Sequence, residues 1–179
     1  LPLLARQILW VNIIEQSFMN FAFAFEPKEA DIMQRDPKDK NMKEVLTGEL
    51  KKLIALIAII TGGLLIVLYF SMLTLDFEIS RIQTIMFIAL SVSSIFYTIS
   101  IKNLHQPIWK INPFSNKYLL GALSASLLGL VLALEFPPLR NLLSLQEISG
   151  LEYLILVGVG LFNLAVIEFG KYLIFKKRV

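Results

Sequence analysis

The sequence predicts an all-α membrane protein, a bundle of five transmembrane helices. Three observations point there. The 179-residue chain is 56% hydrophobic and its mean hydropathy is +0.68, more than a water-soluble domain of this size carries. The apolar residues fall into blocks of about 20, the length that spans roughly 30 Å of hydrocarbon at 1.5 Å per residue. Lysine and arginine gather in the connections between those blocks.

The blocks make a single transmembrane domain over 1–179, with spans at about 3–25, 53–73, 82–101, 118–134 and 151–175. The first is apolar except for a polar run in WVNIIEQ, residues 10–16, which Asn20 extends by a turn. Connection 26–52 is long and charged and carries Pro27 and Pro37. The second span contains Thr61-Gly62-Gly63, small residues that let helix backbones approach closely in lipid. The third holds Ser91, Ser93, Ser94 and Thr98 but no carboxylate. Connection 102–117 is polar, with Pro107 and Pro113. After the fourth span, Pro137-Pro138 predicts a break followed by a short amphipathic turn (Leu142, Leu143, Leu145, Ile148). In the last span Glu168 and Lys171 stand three residues apart, which predicts a helical ion pair with Lys171 snorkelling to the headgroups. Asn163 is expected as an inter-helix contact, and Trp10, Trp109 and Tyr118 as packing or interface anchors.

Charge sets the expected topology, because loops rich in lysine and arginine stay cytoplasmic. All 17 such residues except Arg6, Arg81 and Arg140 lie in loop 26–52, in connection 102–117 or at the C-terminal end. The N-terminus is therefore expected outside, loop 26–52 and the C-terminus in the cytoplasm, and the chain in the plasma membrane. The formal net charge of +3 gives no reason to expect a nucleic acid, and the lipid bilayer is the expected partner. With no cysteine, disulfides and thiolate metal sites are excluded. The lone His105 makes zinc improbable, and no nucleophile–base pair of the serine-hydrolase kind is visible. No internal repeat supports an inverted-repeat transporter. The chain opens on Leu1 without a charged n-region, so no signal peptide is expected; it reads as a piece of a longer chain or a protein missing its start.

The candidate site is Asn12, Glu15 and Gln16. Residues at i, i+3 and i+4 share a helix face, so two amides and a carboxylate are expected to project together. An ionisable group in mid-bilayer costs roughly 2.5–3.5 kcal/mol on insertion scales and marks a functional site. Oxygen-rich groups suit a hard cation or a proton. Ser17 and Asn20 are expected to pack or meet water.

The segments QILWVNIIEQ and FEPKEADIMQRDPK resemble the sixth membrane helix and following cytoplasmic loop of P-type cation-transporting ATPases, the calcium pump and sodium pump group. NPFSNKYLLGA, FPPLRNLLSLQEISGLEYL and IEFGKYL resemble its ninth and tenth helices. The resemblance covers essentially the whole chain and implies helices six to ten. It implies that Asn12 is a cation ligand, that Glu15 stands where the family usually has threonine, and that Gln16 stands where it has a shared aspartate. Moving a carboxylate by one residue turns it about 100° around the helix. With no glutamate in the third span either, a full two-site calcium arrangement is not expected.

The resemblance further implies that loop 26–52, through Asp31, Met33 and Arg35, couples a phosphorylation domain to the helices, and that Gly62 and Gly63 face a helix outside this chain. No DKTGT, TGES or Gly-rich phosphate motif is present. This fragment is therefore not expected to hydrolyse ATP or bind a cofactor itself. ATP, Mg²⁺, the phosphorylation domain and the earlier helices are implied for the full-length parent, with a transported cation, Ca²⁺ preferred. Two other classes stay open: a small channel or secondary transporter of five spans, and a non-catalytic membrane module.

Overall fold

The computed structural model describes residues 1–27, 46–104, 106–112 and 114–175. Among them the regular elements are all helical: α1 Ala5–Trp10, a π-helical stretch Val11–Gln16, α2 Ser17–Phe23, α3 Gly48–Thr74, α4 Ile79–Ile101, a 3₁₀ turn Ile108–Lys110, α5 Lys117–Glu135, α6 Pro137–Leu143 and α7 Gly150–Phe175. Helices α3, α4, α5 and α7 are each long and apolar enough to cross a membrane. The first apolar block is also helical, without a break from Ala5 to Phe23, because the junction residues between α1, the π stretch and α2 all keep right-handed helical dihedrals. The architecture is that of an all-α membrane protein.

Local chemistry sets the ends. Thr47 accepts a hydrogen bond from the Leu50 amide at 3.3 Å and Glu49 lies in the first turn. That cap and acidic turn start α3 before its apolar stretch begins. Asp76 (φ 55°) turns the chain sharply between α3 and α4. Glu78 stands at the N-cap position of α4 without a side-chain capping bond; hydrogen bonds from Ser80 and Gln146 hold its carboxyl below the usual range. Asn116 caps α5 through the Leu119 amide at 2.9 Å. Pro137 and Pro138 do not only break the chain: they occupy the first turn of α6, where a missing N–H costs nothing. Ser144, at φ 52°, ends that helix.

Helix α4 is the centre of the bundle. Of its membrane-crossing window 67% is buried, against 6% for α3. It packs on α3, α5, α7 and the π stretch. Val11, Phe87, Ile88, Ala133 and Leu156 form the heart of the main core, and Met19, Ala22, Leu119 and Ala122 form a second cluster where α2 meets α5. Helices α4 and α7 touch at Gly160, where an added Cβ would lie 2.6 Å from both Phe96 and Val92. Gly62 and Gly63 have open space beside them, nothing lying within 4 Å of a Cβ at either. Thr61 next to them pairs with Asn163 of α7, the asparagine amide donating at 3.0 Å.

Ion pairs tie the ends of the bundle together. Lys102 meets Glu26 at 2.7 Å, Arg81 meets Glu152 at 2.6 Å, and Arg140 meets Glu147 at 2.8 Å. Asn116 also donates to Glu26 at 2.8 Å and to the Ala22 carbonyl at 3.0 Å. The end of α2 is thus held against both the exit of α4 and the entry of α5.

Candidate functional site

The site begins with the backbone of the first helix. In the π stretch the amide of Ser17 reaches the carbonyl of Asn12, five residues back, and the Ser17 hydroxyl donates to the same carbonyl at 2.8 Å. One extra residue in a turn shifts the phase of everything after it, and such bulges recur at functional sites.

That phase decides where the candidates point. The buried stripe of the first helix runs Val11, Glu15, Met19, Ala22. Glu15 therefore sits on the core face, fully buried at 0% exposure. Its Oε1 accepts from the Ser91 hydroxyl of α4 at 2.8 Å. Its backbone carbonyl accepts from the Ser126 hydroxyl of α5 at 3.1 Å. Its Oε2 is buried with no hydrogen-bond partner among the described residues. Gln16 is half-buried and donates from Nε2 to the Ser94 hydroxyl at 3.2 Å. Asn12 is exposed. The structure thus brings Glu15 and Gln16 to adjacent turns of α4 and leaves Asn12 on an uncovered face. Asn20 is exposed as well.

A buried carboxylate oxygen with no partner is costly in a low-dielectric interior. It can be satisfied by a proton or by a cation. Calcium takes six to eight oxygens. The Glu15 carboxylate and the Ser91 hydroxyl supply a minority of such a shell. Among the described residues no three His, Cys, Asp or Glu side chains group together.

A second buried carboxylate lies at the far end of α4. Glu168 accepts from Lys171 at 2.7 Å and from the Ser100 hydroxyl on one oxygen, and from the Ile108 amide at 2.7 Å on the other. The expected pair with Lys171 is present, but Lys171 does not snorkel. It is 1% exposed and donates inward to the carbonyls of Ser100 at 2.7 Å and Asn103 at 3.1 Å. Those carbonyls, freed where α4 ends, attract the ammonium more strongly than the headgroups do.

Sequence reasoning missed Gln7, Ser91 and Ser126 as partners. Gln7 is fully buried and donates to the Leu143 carbonyl at 3.1 Å, joining α1 to α6. The signal for Ser91 was present, a serine row in an otherwise apolar span; nothing local marks Ser126. Trp10 packs on the main core, while Trp109 and Tyr118 are exposed, Tyr118 stacking on Phe25 with ring centres 4.3 Å apart. Asp31, Met33, Arg35 and His105 lie outside the described residues.

With this geometry in hand, similarity to known proteins is informative. The family described as "Cation transporting ATPase, C-terminus" matches residues 1–173. The chain is 28% identical over 158 residues to calcium-transporting ATPase type 2C member 2 of Rattus norvegicus, covering 88% of this chain and 17% of that protein. It is 30% identical over 161 residues to calcium-transporting ATPase type 2C member 1 of Pongo abelii, again 88% and 17%. Against the calcium-transporting ATPase of Bacillus subtilis it is 25% identical over 160 residues, 89% and 18%. The chain therefore spans about a sixth of the length of these relatives. An all-α membrane fold, a polar first helix and a match over 1–173 lead to one conclusion: the chain belongs to the C-terminal membrane domain family of the cation-transporting ATPases.

Proposed function

We propose that this domain serves an ATP-driven pump of calcium type, in which Glu15, Gln16 and Asn12 supply part of the cation's ligand shell. The observation that carries the proposal is the Glu15 carboxylate, fully enclosed yet with one oxygen unfilled. Nothing in the packing of α4 or α5 requires an acid there, whereas a transported cation does. The names of the relatives favour calcium as the ion.

On this reading the remaining oxygens come from helices of the parent that lie against the uncovered side carrying Asn12. Glu15 and Gln16 hold the ion from the α4 side, and the π stretch is the weak turn about which the first helix changes phase between inward and outward access. ATP and Mg²⁺ act in the phosphorylation domain of the parent, which supplies the energy. Loop 26–52 faces that domain from the cytoplasm, and Lys102 and Asn116, which anchor Glu26, pass its movement to α4 and α5. The N-terminus lies outside and the C-terminus in the cytoplasm, in the plasma membrane, with this chain as one membrane domain.

The test is ATP-dependent Ca²⁺ uptake into vesicles bearing the full-length protein. Glu15→Gln is expected to weaken Ca²⁺ activation on the order of tenfold, and Glu15→Asp to weaken it less. Identical Ca²⁺ activation in parent and Glu15→Gln would remove Glu15 from the mechanism.

A further inference from the structure

A second feature lies beside the Glu15 contact on α4, around the helix from Ser91 and lined by other residues. Ile88 and Val92 of α4 form the floor of a cavity of about 160 Å³, walled by Leu127 and Val131 of α5 and by Tyr153 and Val157 of α7. The floor is buried, but Leu127, Val131 and Val157 are 54%, 46% and 41% exposed. The cavity is therefore open toward the surroundings of the bundle. Its size is close to that of an apolar cavity of about 150 Å³ that stays dry and takes benzene. A hydrocarbon guest is thus the chemistry that fits.

Its rim is polar at one end only. Glu135, the last residue of α5, borders the cavity, is exposed, and accepts from the Tyr153 hydroxyl at 3.1 Å. Among the described residues it has no ion-pair partner; the nearby Arg140 is engaged by Glu147. An uncompensated carboxylate beside a tyrosine, at the end of a membrane-crossing helix, sits at headgroup depth. An apolar cavity below and a carboxylate without an ion-pair partner above match an acyl chain below and an ammonium above.

We propose that this cleft between α4, α5 and α7 is a phospholipid site selective for a primary-ammonium headgroup, with an acyl chain over Ile88 and Val92 and the ammonium on Glu135. A choline headgroup, lacking N–H donors, binds less well, and an anionic headgroup is repelled. The site is independent of Glu15 and of the ion carried.

The experiment uses the purified full-length protein, offered vesicles of palmitoyl-oleoyl phosphatidylethanolamine mixed equally with phosphatidylglycerol. Tightly retained lipid is counted by native mass spectrometry. The parent is expected to retain the ethanolamine lipid over the glycerol lipid about fivefold, the most that one exposed ion pair carries. Glu135→Gln, a surface change, is expected to retain a lipid without preference. Val131→Trp fills the cleft and is expected to lose that lipid. Equal retention of both lipids by the parent would overturn the proposal, as would an unchanged lipid count in Val131→Trp. So would a disulfide between Val157→Cys and another helix of the parent, since protein would then cover the cleft.

Discussion

Helix α4 presents a serine to a buried glutamate twice, and the two meetings end differently. At Ser100 the partner is Glu168, both of whose oxygens are filled: by the Ser100 hydroxyl and the Lys171 ammonium on one, by the Ile108 amide on the other. At Ser91 the partner is Glu15, with one oxygen filled and one bare. Burial does not separate them, at 2% and 0% exposure. What separates them is closure. A closed network fixes structure, binding α4, α7 and the 3₁₀ turn into one unit. The Glu15 network is only half closed, with one carboxylate oxygen lacking a partner among the described residues, and on the proposed function a cation completes it.

Closure is tested most sharply by opening the closed site. Glu168→Met strands the Lys171 ammonium in the interior, and removing one partner of a buried pair costs about 3–5 kcal/mol. Thermal unfolding of the full-length protein in detergent measures it. The double change Glu168→Met with Lys171→Met removes both charges and is expected to recover most of the loss. If the single variant melts with the parent, Glu168 is not a structural lock and the comparison fails.

The next effect lies in the contact that the closed network clamps. Gly160→Ala drives a Cβ against Phe96 and Val92, and overpacking of this kind costs about 1–3 kcal/mol. Gly63→Ala meets nothing within 4 Å. In the chain described here it gains up to about 1 kcal/mol of helix propensity. A loss of activity in the full-length protein with Gly63→Ala would instead show that a helix of the parent packs there. Asn163→Ala, which breaks the pair with Thr61, is expected to cost only about 0.6 kcal/mol, the mean for inter-helix hydrogen bonds in lipid.

How much of this was legible in the sequence depends on range. Apolar block length sufficed for the helices, since hydrocarbon thickness fixes it. The depth of each helix was legible too, with a different sign from soluble proteins. Polarity marked the interior: Gln83, Thr84, Ser91, Ser94 and Thr98 on α4 are all buried, while α3, almost purely apolar along its membrane window, is left outside. Lipid solvates a leucine as well as a protein core does, so a hydroxyl has more reason to turn inward.

The phase of the first helix was harder. Counting i+3 and i+4 from Asn12 groups the polar residues, but the face that packs is Val11, Met19 and Ala22, and Glu15 falls on it. The apolar stripe was the better guide, and the π turn adds an offset that no periodicity reveals. The inward turn of Lys171 depends on carbonyls about seventy residues earlier in the chain, a tertiary cause with no local trace. At Pro137-Pro138 two local rules hold together: α5 ends at Glu135 with Phe136 extended, the expected break, and the prolines then form the first turn of α6.

The smallest expected effect on stability is the most telling for function. Glu15→Met applies to the half-open site the change already applied to the closed one. Here it removes an oxygen that has no partner, and the Ser91 hydroxyl can turn to its own helix carbonyl. Replacing an unsatisfied polar group by an apolar one of similar shape is nearly neutral or stabilising. The variant is therefore expected to melt within about 1 kcal/mol of the parent or above it, without added cation. Adding cation reverses the order. A ligand at a hundred times its dissociation constant stabilises the native state by about 2.7 kcal/mol, a gain open to the parent and closed to Glu15→Met. A Ca²⁺ titration of the two melting temperatures measures the difference directly. Parallel curves would mean that the bare oxygen of Glu15 takes no part in holding the ion, and that the two glutamates facing the serines of α4 differ in packing alone.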